Sequence, residues 1–507
     1  MKDTNSIVAL QRGGLDSVSA THTEHHVWGI LLALIPLIHG SVVLGNDAAR
    51  DRAATGLRTS LKFYAERQYR GGWASHYSVD LTKQWGEWRP THANVVTISD
   101  SGMTGIGLIF VRAAEVLNEP RWLSVACKAG DLLVAGQLPN GGFTQELQIT
   151  SAGVKGVHQL LPYPKAPRAA TQGVLENNTT DRAIELLCRL VDATGQQQYG
   201  DAARRAVDFL VTAQYPCGAF PQRYPPSNGY DKYYTLNDGA TTDSILRLIS
   251  FYRRTEETKY LNAARKGGEW ILSAVLPDPT PGWAEQYDEL NEPARARLFE
   301  PPGVGTEVTY LAVEALTELY LITGDAKYLP PAEKALAWLQ HIQISPGGRC
   351  YRLYEITSGK PIFVERTSGQ VYYDIEELPE NQRPRWYCGP FFGDRPSAHV
   401  SVMQIWQCLR TLGREGLLAQ RLRRTGKLDI ESGYGAFRTP AIETEKDRTI
   451  LAQQVETILA QQQSEGWWSG ECDGTTTISS SVFTRNAIEL ISYLQMDGVV
   501  HHSSGSD

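Results

Sequence analysis

Asn237-Asp238 closes an irregular stretch, QYPCGAFPQRYPPSNGYDKYYTLNDGATTDS, from Gln214 to Ser244. A helical pattern precedes it and another resumes after it. Between them a loop crowded with Pro, Gly and Tyr hands a carboxylate to the start of a helix. Carboxylates act as general acids or bases, or as oxygen ligands of hard cations. The same aspartate also suits the N-cap of the helix from Gly239 onward, where it would accept backbone N–H bonds. Amides recur beside aromatics at Gln145, Gln222 and Gln286. Aromatic platforms flanked by amides and carboxylates are how a cleft grips sugars. Glycines that end helices, with aromatics capping a core, would read the same way. Gly-rich phosphate loops and a Ser-His-Asp order are missing from the sequence.

Composition narrows the classes. With 507 residues, 42% of them hydrophobic, the chain has enough apolar material for one large core or two ordinary ones. A net charge of −7 argues against a general nucleic-acid binder, which would carry a basic stripe. Seven scattered cysteines include no C-x-x-C, and small buried thiols are the expectation. At most one or two disulfides fit, with Cys350–Cys388 as the candidate pair. VWGILLALIPLIHGSVVLG, residues 27–45, holds no charged residue and precedes the polar NDAARDR. Its apolar core of about a dozen residues is closer to a signal-peptide h-region than to a membrane span. Residues 1–46 are therefore expected to be a cleaved signal peptide or a retained anchor of an exported protein, with an internal core helix as the alternative.

The elements that must position these groups repeat. Four segments open on an aromatic residue: WLSVACKAGDLLVAGQ from Trp122, YGDAARRAVDFLVTAQ from Tyr199, YLNAARKGGEWILSAV from Tyr260 and YLPPAEKALAWLQHIQ from Tyr328. Small or apolar residues recur at helical spacing within each, as at Ala203, Ala206, Val207, Leu210 and Ala213. Another helical pattern precedes each one, such as Ala183–Gly195, and a glycine followed by an aromatic comes after. YRGGWASHY near Trp73 and EGWWSGE near Trp467 look like outer members of the series. The spacing predicts helix hairpins with their loops recurring at one end. Such hairpins close into an all-α, α/α toroid over residues 51–500, with short strands in the mouth loops and a disordered tail at 501–507.

These residues carry a resemblance. TAQYPCGAFPQRYP followed by YYTLNDGATTDSILRL is similar to the family 10 polysaccharide lyases, the pectate lyases of α/α-toroid fold. ENNTTDRAIELL, GGRCYRLYEITSGKPIFVERTSG, PGWAEQYD and ARLFEPPGVGTEV resemble further segments of that family, over about residues 55 to 375. Three positions depart from its pattern. Glu176 and Thr367 each stand where the family has Asp, and Tyr233 stands near where many members have His. The resemblance implies β-elimination on a uronate, with Ca²⁺ held by Asp238 and Glu176, Arg366 as base and Arg352 as substrate clamp. An arginine base is physically demanding, because its free pKa exceeds about 12. Pairing of both arginines with uronate carboxylates is the simpler alternative. The substrate wall is expected at Trp73, Phe220, Gln222, Arg223, Tyr234, Asn237, Trp283 and Gln286. The implied partner is an acidic polysaccharide such as polygalacturonate, and the implied state is a monomer.

Two other readings compete. A glycoside hydrolase on the same toroid would use Asp238 with Glu176 or Asp288 as acid and base. A non-catalytic glycan-binding protein would keep the cleft without the chemistry.

Overall fold

The computed structural model describes residues 28–87, 89–158, 165, 168–344, 350–383, 390–391, 397–425, 445–472 and 474–496. The tail 501–507 and Cys388, hence the Cys350–Cys388 pairing, lie outside the described residues. The chain divides into two units, Met1–Asp51 and Arg52–Asp507. Helix α1 is Trp28–Glu66. Among the described residues no helix is long and apolar enough to cross a membrane.

Helix hairpins build Arg52–Asp507. α2 (Met103–Val116) pairs with α3 (Pro120–Gly136), and α4 (Thr179–Thr194) with α5 (Gln197–Ala213). α6 (Ala240–Thr255) pairs with α7 (Thr258–Ser273), and α8 (Thr306–Thr323) with α9 (Leu329–His341). α10 (Ser397–Thr425), α11 (Glu445–Gln461) and α12 (Ser480–Gln495) follow. In each of the four hairpins the first helix is buried along most of its length and the second buries one stripe. Ala203, Ala206, Val207, Leu210 and Ala213 of α5 all lie in that stripe, as their spacing predicts. The buried helices are successive neighbours: α12 packs on α2, α2 on α4, α4 on α6, α6 on α8 and α8 on α10.

A repeated turn sets the order of the second helices. Gln68, at the end of α1, donates from Nε2 to Gly71 O in its own turn (3.2 Å) and to Val125 O of α3 (2.9 Å). Gln137 after α3 does the same to Gly141 O (2.8 Å) and Ala202 O of α5 (2.9 Å). Gln214 after α5 bonds Gly218 O and Ala263 O of α7, each at 2.9 Å. Gln462 after α11 bonds Gly466 O (3.3 Å) and Gly56 O of α1 (2.9 Å). The glycine must be a glycine on two counts. Gly141 has φ +91°, and a Cβ there would lie 2.3 Å from Arg205 O; Gly218 and Gly466 meet the next helix in the same way.

Aromatics that follow loop glycines turn inward. Trp73, Phe143, Phe220 and Trp283 are each fully buried. The indole N–H of Trp73 bonds Tyr64 O (2.7 Å), and that of Trp283 bonds Ile271 O (2.8 Å). Trp73, Phe220 and Trp283 therefore cap the core and cannot stack on a sugar, which corrects their assignment to the substrate wall.

The strands are short and pair antiparallel throughout. His76–Ser78 pairs with Thr475–Ser479, and Tyr64 of α1 stacks on Phe483 of α12 at 4.0 Å, so the two ends of this unit are joined. Trp283–Ala284, Val304–Gly305, Leu353–Tyr354, Pro361–Val364 and Val371–Tyr372 form a second small sheet. A third includes Val95–Thr97, Glu146–Thr150 and Gly153–His158.

Candidate functional site

The starts of successive buried helices are tied together. At the head of α6, Asp238 adopts a left-handed backbone (φ +49°), followed by Gly239 at φ +78°. At the head of α4, Asn177 and Asn178 repeat that pair at φ +56° and +55°. Asn177 N bonds Asp238 O at 3.1 Å, and Asn178 Nδ2 donates to Asp100 Oδ2, ahead of α2, at 2.9 Å. A non-glycine residue held left-handed is strained by about 1–3 kcal/mol, and such strain concentrates at functional positions.

Asp238 is not an N-cap. The capping position of α6 is Gly239, no side chain caps that helix, and Asp238 Oδ2 accepts from Asn237 Nδ2 at 3.0 Å. Its carboxyl is pushed up to about 6 by burial and by the neighbouring Glu176, with Arg352 and Arg297 opposing. Burial likewise raises Glu176, which accepts from Arg223 at 3.2 Å. Glu87, in the loop after Gln84–Trp85, is pushed up to about 8 by burial, then by Asp238, Glu176, Glu146 and Asp100. Gln145 donates to it. Glu146 is pushed up to about 7 by burial, and its buried Oε2 has no hydrogen-bond partner. A half-buried acidic centre thus forms from Glu87, Glu176 and Asp238, bordered by Arg223 and Arg297.

Arg352 is a strut of this centre. Its Nε donates to Glu285 Oε1 at 2.9 Å and NH2 to Asn237 Oδ1 at 3.2 Å, while NH1 pairs with Glu307 at 3.3 Å. Only 5% exposed, it holds the amide that in turn holds Asp238, which corrects its role as a free clamp on substrate. Arg366 sits in the exposed turn after Pro361–Val364, with its backbone N–H on Gln382 O at 3.0 Å. In the Leu353↔Ile362 register it lies three residues beyond the partner of Arg352, about 10 Å along the hairpin.

The remaining predicted positions separate. Asn237, Arg223, Glu176 and Asp238 meet. Gln222 and Gln286 are buried, with Gln286 Nε2 on Ala294 O at 3.1 Å and its Oε1 without a hydrogen-bond partner. Tyr234 packs against Tyr215 and Trp270. Asp288 accepts from the backbone of Leu290 and Glu292 (2.9 and 3.0 Å), ordering its own turn. Glu87, Glu146, Arg297 and Tyr230 were not singled out by sequence. Tyr230 is 40% exposed, and its hydroxyl is influenced by Arg297, Glu176, Glu300 and Arg223, so it is the accessible aromatic of the long loop. Asp231 braces that loop by accepting from Ser227 N at 2.9 Å.

Calcium takes oxygen ligands, and Glu176 and Asp238 supply carboxylate oxygens that repel one another. Among the described residues no three or more His, Cys, Asp or Glu side chains are grouped to hold a metal by themselves.

Residues 137–309 match the model of the pectic acid lyase family. None of the curated proteins compared matches the chain. Among solved structures, a variant of the family 10 polysaccharide lyase from Cellvibrio cellulosa, in complex with trigalacturonic acid, is 22% identical. That match covers 59% of this chain and 98% of the other, with a TM-score of 0.43. Another structure of family 10 lyase from Cellvibrio cellulosa is 20% identical over 58% and 95%, TM-score 0.43. A family 76 glycoside hydrolase (mannosidase) from Bacteroides thetaiotaomicron is 12% identical over 88% and 98%, TM-score 0.49.

Proposed function

We propose that this chain, matched over residues 137–309 by the pectic acid lyase family, is a polysaccharide lyase that cleaves polygalacturonate or a related uronan by β-elimination. The single observation that supports this reading best is the acidic centre of Glu87, Glu176 and Asp238 beside Arg223 and Arg297, lying in and around the family match. We infer an α/α toroid from the neighbour order of the buried helices and the joined ends of the unit. Export is proposed from the uncharged stretch at residues 27–45.

Each group has a task. Glu176 and Asp238 would hold Ca²⁺, which would supply a positive charge to the uronate carboxylate and so make the C5 proton more acidic. Arg223 and Arg297 receive that carboxylate, and Tyr230 offers a ring face to the sugar. Arg352 fixes Asn237, and through it the strained Asp238. Arg366, the base that the resemblance implies, would take the C5 proton as the C4 oxygen leaves.

A glycoside hydrolase remains the second reading, on one observation. Burial and neighbouring carboxylates raise Glu87 further than Asp238, to about 8 against about 6, the direction of split that an acid–base pair uses. Incubation with polygalacturonate separates the two. Elimination gives an unsaturated uronate that absorbs in the ultraviolet, and hydrolysis gives new reducing ends without that absorbance.

A further inference from the structure

The turn after α1 differs from its three counterparts. Gln137, Gln214 and Gln462 each precede their glycine by four residues, whereas Gln68 precedes Gly71 by three. The shortened turn throws Arg70 into the left-handed region (φ +48°), the one non-glycine residue so placed in the four turns. Arg70 then borders an open groove of about 700 Å³ between the α1 turn, α3 and the hairpin of Glu146–Thr150 and Gly153–His158. Lys128 of α3 lines it too. Both cations are exposed, and among the described residues neither has an acidic partner. Asp131, the acid in the wall, is already engaged by Tyr199 OH (2.8 Å) and Gln198 Nε2 (2.9 Å). Ala135 and Val154, both reached by solvent, give the groove a small apolar flank against which a sugar ring can lie.

One strand connects this groove to the acidic centre. Gln145 bonds Glu87 at one end of Glu146–Thr150, while Ile149 and Thr150 line the groove at the other. The strand spans about 13 Å at its ordinary rise per residue. We propose that the groove is a distal subsite for a carboxylate-bearing polysaccharide, held by Arg70 and Lys128 while another part of the same polymer occupies the acidic centre. This rests on the uronan reading above and adds where a long chain is gripped.

Binding to polygalacturonate and turnover of trigalacturonate are to be measured for wild type, Arg70→Asn with Lys128→Gln, and Asp238→Asn. Asparagine tolerates the left-handed backbone and glutamine the helix, so equal melting temperatures confirm intact folds. The double variant should bind the polymer about tenfold more weakly at low salt, with the difference vanishing at high salt. Its turnover of trigalacturonate should be unchanged. Polymer binding equal to wild type, an equal loss on trigalacturonate, or an equal loss on a neutral galactan would overturn the proposal. So would a wild type that does not bind polygalacturonate. Salt-sensitive binding through Arg70 and Lys128 without any unsaturated product would sink the lyase reading and leave the groove standing.

Discussion

Asp238 carries more of this account than any other residue, and its backbone offers a clean test. Asp238→Asn keeps the size and the left-handed conformation while removing the charge, so the melting temperature should hold or rise slightly. Turnover on polygalacturonate should fall by about a hundredfold or more, and any calcium dependence should disappear. An unfolded variant with calcium response intact would return Asp238 to a structural role. Arg352 behaves differently because its guanidinium is buried among Glu285, Glu307 and Asn237. Arg352→Met leaves buried carboxylates unpaired and should destabilise by roughly 3–5 kcal/mol. Arg352→Lys cannot span three partners, so it should lower melting temperature and kcat together. A pure rise in KM with unchanged stability would restore the clamp that the sequence implied.

The helix hairpins were legible because their signal is local. The aromatic openings at Trp122, Tyr199 and Tyr260 fall within two residues of the observed starts of α3, α5 and α7. What lay between the helices was harder to read. A glycine followed by an aromatic fits both a sugar platform and a core cap, and only burial distinguishes them: Trp73, Phe220 and Trp283 went inward. The functional amide was also hidden in plain view. Gln145, Gln222 and Gln286 drew notice beside aromatics, yet the structural repeat belongs to Gln68, Gln137, Gln214 and Gln462, three or four residues before the glycine. Glu87 escaped because its neighbours in space come from three other hairpins. The turns make a graded prediction. Gln137→Leu loses three hydrogen bonds, leaving Ala202 O and Gly141 O short of a donor and Arg205 Nε short of an acceptor, about 1–3 kcal/mol by denaturant unfolding. Gly141→Ala adds a backbone clash at 2.3 Å and an unfavourable φ, so it should destabilise more than Gln137→Leu. The opposite ranking would mean that the turn gives way easily.

At the scale of the whole Arg52–Asp507 unit, joining of the ends is the feature that holds the mouth loops together. His76 sits in that junction, with Nδ1 3.1 Å from Thr477 Oγ1, and burial pushes its pKa down to about 4. The unfolded state therefore binds the extra proton between about pH 4 and 6.5, and stability rises with pH across that window. Below it the contribution is lost, up to roughly 3 kcal/mol. Raised carboxyls such as Glu87 and Glu146 work in the opposite sense, losing stability as pH rises through their folded values near 8 and 7. The difference between wild type and His76→Phe isolates the histidine: the gap in stability should narrow towards pH 4 as wild type loses its advantage. A gap independent of pH would mean that His76 is not buried neutral. The central claim, that the acidic centre serves β-elimination on a uronan, is tested most directly by ultraviolet absorbance of wild type with polygalacturonate and Ca²⁺, read beside a reducing-end assay. The account predicts that absorbance and reducing ends grow together, and that both stop in Asp238→Asn. Reducing ends without absorbance, or neither signal from a folded protein that binds the polymer, would contradict it.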